Sequence, residues 1–299
     1  MTTSGDTSER SVGIVGVGNM GGAMALCLLD SGFEVGVRDI DATREAEAVR
    51  QGARAFATPA ALAAAHRVVI VAVVDAAQCE KVLFGSGGVA SASTPDACVV
   101  LCPTIGPAST ESFATRLGER GIACIDAPMS GGPARARDGS MSLMVACDAA
   151  VFSAHEALIG ALSGKVFRVG ERPGDGARTK LVNNLLAAIN LVGAAEALAL
   201  AERIGLDAAR TLAVIEQSSG QSWIGSDRMR RAIAGDLAPR AHTTLLAKDS
   251  MLALAMAEQV AFDASLGRAA ASRFEAACAA GLGALDDASL LELLRRSGA

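Results

Sequence analysis

The chain has 299 residues, more than one small hydrophobic core needs, and this length favours two domains. Hydrophobic residues make up 51% of the sequence and charged residues 20%, a balance that excludes a mainly disordered chain. The formal net charge is −5 and no long run of lysine and arginine occurs, so nothing in the charge pattern indicates nucleic-acid binding.

Other patterns exclude further classes of protein. No stretch reaches about 18 uninterrupted apolar residues, so we expect no membrane-spanning helix and no membrane partner. Residues 1–11 lack the cationic start and apolar centre of a signal peptide, which favours a cytoplasmic protein. Seven cysteines without a Cys-x-x-Cys pair favour reduced, mostly buried thiols. The three histidines have no neighbours at metal-ligand spacing, so we expect no metal site.

The first half of the sequence alternates short apolar runs with helical patterns. We predict strands over residues 12–17, 34–38, 68–74, 97–101, 122–126, 141–146 and 165–169. Helices are predicted over residues 20–30, 43–51 and 109–120. This alternation, with a fully apolar strand at 68–74, predicts an α/β Rossmann domain, a doubly wound and mostly parallel sheet.

The second half carries helical patterns alone. Residues 177–204 contain no proline and predict a helix about 40 Å long, which would join the two domains. Further helices are predicted over residues 208–218, 226–234, 244–259, 269–280 and 290–296. We therefore predict a dinucleotide-binding domain over residues 11–175 and an all-α substrate and oligomerisation domain over residues 176–299.

A glycine-rich loop joins the first predicted strand to the first predicted helix. Its glycines are Gly16, Gly18 and Gly21, with Asn19 and Met20 between the last two. This spacing allows a tight turn, brings backbone close to a pyrophosphate and lets the helix pack on the strand. The free N–H groups of the helix start favour phosphate binding. We therefore expect these five residues to bind a dinucleotide.

Asp39 ends the second predicted strand, 18 residues after Gly21. A carboxylate at this place accepts hydrogen bonds from ribose hydroxyls and repels a 2′-phosphate, so NAD is favoured over NADP. Arg38 and Arg44 lie close in sequence and could bind a phosphate, and Asp39 could also be an ordinary turn residue.

Four ordered stretches carry a resemblance to a known family: G-V-G-N-M-G at 16–21, D-A-P-M-S-G-G at 126–132, G-A-R-T-K-L-V-N-N at 176–184 and K-D at 248–249. Together they resemble the β-hydroxyacid dehydrogenases, which include 3-hydroxyisobutyrate dehydrogenase and 6-phosphogluconate dehydrogenase. Within that family, Q-S-W at 221–223 and D-R-M at 227–229 are similar to the L-threonate dehydrogenase branch.

The resemblance implies roles for individual residues. Alcohol oxidation removes a hydride and a proton, and a lysine can take the proton where burial lowers its pKa. The resemblance gives this role to Lys180, with Asn184 on the same helix face. Substrate contacts are implied for Ser130, Gly131, Gly132 and Asn183. Nucleotide contacts are expected for Val73, Val74, Thr104 and Lys248.

The expected function is NAD-dependent oxidation of a small 3-hydroxy acid, with an aldonate such as L-threonate as a candidate. One alternative is NADPH-dependent reduction of a small semialdehyde, and another is a catalytically silent cofactor-binding relative. The family is commonly dimeric or tetrameric, so the resemblance implies a homodimer or homotetramer.

Overall fold

A computed structural model of the protein describes residues 10–296, and its internal contacts divide the chain into two compact units between Lys180 and Leu181. The first unit is α/β and the second is helical, which confirms the predicted fold class. Residues 1–9, where we expect no signal peptide, and residues 297–299 at the end of the second predicted domain lie outside the described part.

The N-terminal unit is built on a nine-stranded sheet. Its strands are β1 Ser11–Val15, β2 Glu34–Arg38, β3 Arg54–Ala55, β4 Val68–Val71, β5 Cys98–Leu101, β6 Ala123–Asp126, β7 Met129–Ser130, β8 Ser142–Ala146 and β9 Lys165–Gly170. They follow the order β3-β2-β1-β4-β5-β6-β8-β7, with β9 also paired to β8. The β6–β8 and β7–β8 pairs are antiparallel, and the other pairs are parallel.

Helices cover both faces of this sheet. They are α1 Asn19–Asp30, α2 Ala42–Arg50, α3 Pro59–Ala65, α4 Ala76–Phe84, α5 Pro107–Gly118, α6 Gly132–Arg137 and α7 Ala149–Leu162. Successive residues of the central strands enter different hydrophobic clusters: Ile70 packs with α1 and α7, whereas Val69 and Val71 pack with α3, α4 and α5. Burial on both faces explains why β4 and β5 are continuously apolar.

The C-terminal unit packs around one long helix. Its helices are α8 Asp175–Arg203, α9 Ala208–Glu216, α10 Trp223–Ile233, α11 Thr243–Gln259, α12 Ser265–Ala279 and α13 Leu290–Arg296. The first residues of α8 belong to the N-terminal unit. Further along, Leu191, Ala195 and Leu198 are fully buried in one cluster with Phe274.

By length and composition, α8 is apolar enough to cross a membrane, although its apolar residues are not contiguous. Its polar residues include Lys180, Asn184 and Glu196. Core helices pass the same test, and 39% of the most apolar stretch of α8 is buried. Leu191 and Ala195 lie in the core of the C-terminal unit.

The cysteines are free thiols, as predicted. Five of the seven are buried. Burial raises the pKa of the Cys124 thiol well above its ordinary value, with a further contribution from Cys98. The side chains of Cys98 on β5 and Cys124 on β6 therefore pack as small apolar groups of the N-terminal sheet.

Candidate active site

The glycine-rich loop forms an open backbone cradle between β1 and α1. Gly16 has a φ of +91°, and a Cβ there would lie 2.7 Å from the backbone oxygen of Ala72. Only glycine is free of strain and clash at this position. A Cβ on Gly18 would meet nothing within 4 Å, so the loop is open on that side. The first N–H groups of α1, which begins at Asn19, lack partners within the helix and can bind an anion here.

Asp39 follows β2 and faces this loop. Its Oδ2 accepts a hydrogen bond of 2.6 Å from the Val17 backbone N–H, and its Oδ1 accepts one of 2.9 Å from Asp41 N–H. These bonds fix the carboxylate beside the cradle. Each oxygen keeps a further lone pair with which it can accept a hydrogen bond from a ribose hydroxyl.

The other predicted nucleotide contacts of this unit follow neighbouring parallel strands. Val73 and Val74 come after β4, and a Cβ on Gly16 would lie 3.1 Å from Cγ1 of Val73. Val74 is 48% exposed, and Thr104, after β5, is half-buried. Parallel strands β1, β2, β4 and β5 end at the same sheet edge, so the structure brings these residues to the edge that carries the cradle.

The motif predicted to bind substrate has more secondary structure than expected. Ser130 is the last residue of β7, and its register partner is Ser142 of β8. Gly131 precedes α6, which begins at Gly132. Gly131 has a φ of +132°, a conformation that favours glycine. The segment therefore holds a hydroxyl and small residues at a sharp turn between a strand and a helix.

Asp126 ties the end of β6 to the start of α8. Its Oδ2 accepts hydrogen bonds from Gly174 N at 2.7 Å and from Ala177 N at 3.0 Å. Gly176 lies against it: a Cβ there would lie 2.9 Å from Asp126 Cγ and 2.7 Å from the Met144 backbone oxygen. The glycine of the G-x-x-x-K stretch is thus required for close packing on the sheet.

Burial is the main influence on the pKa of the Asp126 carboxyl group. The residue is 2% exposed, and burial raises the pKa of its carboxyl to about 6, although backbone N–H groups of Ala177, Gly174 and Gly176 act in the opposite direction. In the sequence, Asp126 is apparent only as the first residue of the D-A-P-M-S-G-G motif. Its acidic side chain at the end of an apolar strand was the available signal of a structural role.

Lys180 and Asn184 are one turn apart on α8. Each is 8% exposed, which is unusual for a lysine. Side chains four residues apart project from the same side of a helix. The hydrogen bonds of Asp126 act on the turn that precedes Lys180, so they fix where this part of α8 begins.

In the C-terminal unit, Asn184 belongs to a hydrogen-bonded chain of side chains. Asn184 Nδ2 donates to Asp249 Oδ2 at 2.6 Å, and Lys248 Nζ donates to Asp249 Oδ1 at 2.7 Å. Asn183 Nδ2 donates to Asn184 Oδ1 at 3.0 Å. Asp249 is 6% exposed, so it is a buried acceptor that fixes which way the Asn184 amide points. This link between the N-N and K-D stretches was not predicted.

The sheet order and the glycine cradle at the carboxyl ends of its strands define a dinucleotide-binding Rossmann protein. Comparison with known proteins agrees. Residues 11–170 match the family model described as the NAD binding domain of 6-phosphogluconate dehydrogenase. Residues 174–294 match that described as NAD-binding of NADP-dependent 3-hydroxyisobutyrate dehydrogenase.

Individual relatives match along nearly the whole chain. L-threonate dehydrogenase of Cupriavidus necator is 36% identical over 285 residues, covering 95% of this chain and 96% of the relative. The 2-hydroxy-3-oxopropionate reductase of Escherichia coli is 31% identical, covering 95% and 96%. The crystal structure of 3-hydroxyisobutyrate dehydrogenase from Salmonella typhimurium is 32% identical with a TM-score of 0.89, covering 95% and 99%.

The chain therefore belongs to the β-hydroxyacid dehydrogenase family and is an NAD(P)-dependent dehydrogenase. This confirms the predicted family and enzyme class. The comparisons include relatives that differ in substrate, and the family descriptions name both NAD and NADP.

Proposed function

We propose that the protein oxidises a small 3-hydroxy acid with NAD, and that L-threonate or a closely similar aldonate is the substrate. The observation that carries this proposal is the pair of buried side chains, Lys180 and Asn184, one turn apart on α8. The similarity to L-threonate dehydrogenases supports the choice of acid.

Lys180 is proposed as the general acid and base. In the oxidative direction its amine accepts the hydroxyl proton of the substrate, so the neutral amine is the active form. Asn184 holds the substrate hydroxyl. Because Asp249 takes one hydrogen of the Asn184 amide, the second hydrogen on Nδ2 is the donor left for the substrate oxygen.

The substrate carboxylate is proposed to bind the segment Ser130–Gly132. The Ser130 hydroxyl and the backbone N–H groups of Gly131 and Gly132 are suitable donors for an anion. Asn183 is proposed as a further substrate contact, because it lies beside Asn184 and hydrogen-bonds to it.

The residues fit a dinucleotide, since the backbone at Gly18 is open and Asp39 is fixed beside it. When bound, the nucleotide would supply the hydride acceptor that the oxidation needs. Gly16, Gly18, Asn19, Met20 and Gly21 are proposed to hold the pyrophosphate. Val73, Val74, Thr104 and Lys248 are proposed as further contacts. The Asp39 carboxylate supports NAD over NADP, since it would repel a 2′-phosphate.

A second candidate function is the reverse reaction on a small semialdehyde with NADPH. The similarity to 2-hydroxy-3-oxopropionate reductase favours it, and Asp39 opposes it. A silent cofactor-binding relative is disfavoured, because Lys180 is present and buried.

We further propose a cytoplasmic homodimer or homotetramer assembled through residues 176–299, with nucleotide binding assigned to residues 11–175. The support is apolar surface on α8, where Val182, Leu186 and Leu200 are 58–60% exposed. Apolar residues spaced along one helix favour burial against another chain.

A substrate panel tests the proposal. Nicotinamide absorbance would be followed with NAD or NADP and threonate, glycerate, 3-hydroxyisobutyrate, 3-hydroxypropionate, 6-phosphogluconate and serine. The highest kcat/KM is expected for threonate with NAD. The reverse assay would follow NADPH oxidation with small semialdehydes, and efficient turnover in that assay alone would establish the second function instead. Nucleotide binding without turnover of any compound would contradict both.

A further inference from the structure

A second acidic side chain lies behind Asp39 in the N-terminal unit. Glu45 is in the first turns of α2, yet its carboxylate reaches back to the end of β2. Its Oε2 accepts a hydrogen bond of 3.0 Å from the Asp39 backbone N–H and one of 3.2 Å from Arg38 Nη1. The side chains of Arg38 and Glu45 are 29% and 19% exposed, so the ion pair is partly withdrawn from solvent.

This contact changes what Arg38 can do. An arginine at the end of β2 is a natural partner for the 2′-phosphate of NADP, because its guanidinium offers paired N–H donors. Here Glu45 engages the guanidinium and neutralises its charge. Asp39 and Asp41 add two further negative charges at the same strand end.

We propose that Glu45 is a specificity-determining residue that maintains selection of NAD over NADP by holding and neutralising Arg38. The inference rests on the proposed preference for NAD and extends it. Asp39 discriminates at the ribose itself, and Glu45 neutralises Arg38, the cation that directly precedes Asp39 in the sequence. A hydroxyl at the ribose 2′ position carries no charge, so NAD binding depends little on this pair.

The charges of Arg38 and Glu45 predict how nucleotide preference differs among the wild type and three variants. Glu45→Gln leaves Arg38 positive while keeping an amide oxygen that can accept from the Asp39 N–H. Arg38→Gln leaves Glu45 negative. The double variant restores the net charge of the pair to zero. A single unit charge facing a doubly charged phosphate across hydrated protein surface is worth about tenfold in affinity.

The experiment measures the dissociation constants of NAD⁺ and NADP⁺ by titration calorimetry, without turnover. The quantity compared is their ratio, at low and at high ionic strength. Glu45→Gln is expected to shift the ratio about tenfold towards NADP⁺, and Arg38→Gln about tenfold the other way. The double variant is expected to return close to the wild-type ratio. High salt is expected to reduce the shifts, since screening weakens exposed charges.

Glu47→Gln is the matched control. It removes the same charge from the same helix, but Glu47 is exposed and pairs with Arg50. Its ratio is expected to equal that of the wild type. Equal ratios in the Glu45 and Glu47 variants would overturn the inference, as would a double variant that keeps the gain of Glu45→Gln. Failure of the wild type to bind either nucleotide would overturn the proposed function itself. That result differs from normal nucleotide binding in which Glu45→Gln leaves the ratio of the two dissociation constants unchanged.

Discussion

Replacing Asp126 by asparagine tests the anchor that fixes the start of α8. The carboxyl group has a pKa of about 6 in the folded protein and 3.8 as its ordinary value. Between these values the folded state holds the proton more tightly than the unfolded state. The stabilisation is therefore fully present below the unfolded pKa and is lost as the pH rises through about 6.

The magnitude follows from the size of that shift. About two pKa units at 1.36 kcal/mol each correspond to about 3 kcal/mol of unfolding free energy. Asparagine does not titrate. The free energy of unfolding of Asp126→Asn, relative to wild type, should therefore rise by about 2.4 kcal/mol from about pH 4 to about pH 7.5, most of that total.

Urea unfolding followed by circular dichroism over this pH range measures the difference. Asp138→Asn is a useful control, because hydrogen bonds from Ser140 lower the pKa of the exposed Asp138 carboxyl. The pH trend of that control should have the opposite sign. A flat difference curve for Asp126→Asn, or one that falls with pH, would refute the assignment of Asp126 as a buried carboxyl held by backbone donors.

Three further predictions concern packing, polarity and assembly. Gly176→Ala should lower the free energy of unfolding by about 1–3 kcal/mol in urea melts, because the added Cβ meets fixed backbone. Gly193→Ala, at an exposed position of the same helix, should raise that free energy or leave it unchanged. Equal effects of the two substitutions would contradict the close packing at Gly176. Asp249→Asn should lower kcat/KM by about tenfold or more, since the Asn184 amide loses its fixed acceptor, and a value within about twofold of wild type would contradict this role. Sedimentation should give the mass of a dimer or tetramer, and the mass of a single chain would refute assembly.

Much of the fold was predictable because burial dictates sequence pattern. Residues 68–74 were correctly predicted to form a strand, because both faces of that strand are buried. The strand β4 ends at Val71, three residues earlier than predicted. The strand predicted over residues 12–17 ends at Val15, where Gly16 turns the chain with a φ of +91°. The helix α8 was placed within two residues at each end, since a long segment without proline has few other structures open to it.

Short and alanine-rich elements were missed. The helices α3 and α7 contain many alanines, which form helix well but give little contrast between a buried and an exposed face. The strands β3 and β7 have two residues each, too few for any periodicity. The helix α6 has six residues and begins with glycine and proline, which predicts a turn as readily as a helix.

Motif spacing identified the segments that carry the candidate site residues. It did not show which residues of those segments contact one another. Asp126 meets Gly174 and Ala177 across about 50 residues of sequence, and Asn184 meets Asp249 across 65. Such pairs depend on how the sheet and helices pack, which a single sequence does not encode in any local pattern. The same holds for Glu45, whose role appears only when α2 is placed beside the end of β2.

Lys180 is the centre of the proposed chemistry, and one comparison tests it most directly. The rate of NADH formation from threonate would be measured for the wild type, for Lys180→Ala and for Lys165→Ala, which removes an exposed lysine of β9. Calorimetry would confirm that NAD still binds. We predict that Lys180→Ala lowers kcat by at least about 100-fold, within the range expected for loss of a general base, while Lys165→Ala leaves it unchanged. A kcat of the Lys180→Ala variant equal to that of the wild type would contradict the proposed mechanism.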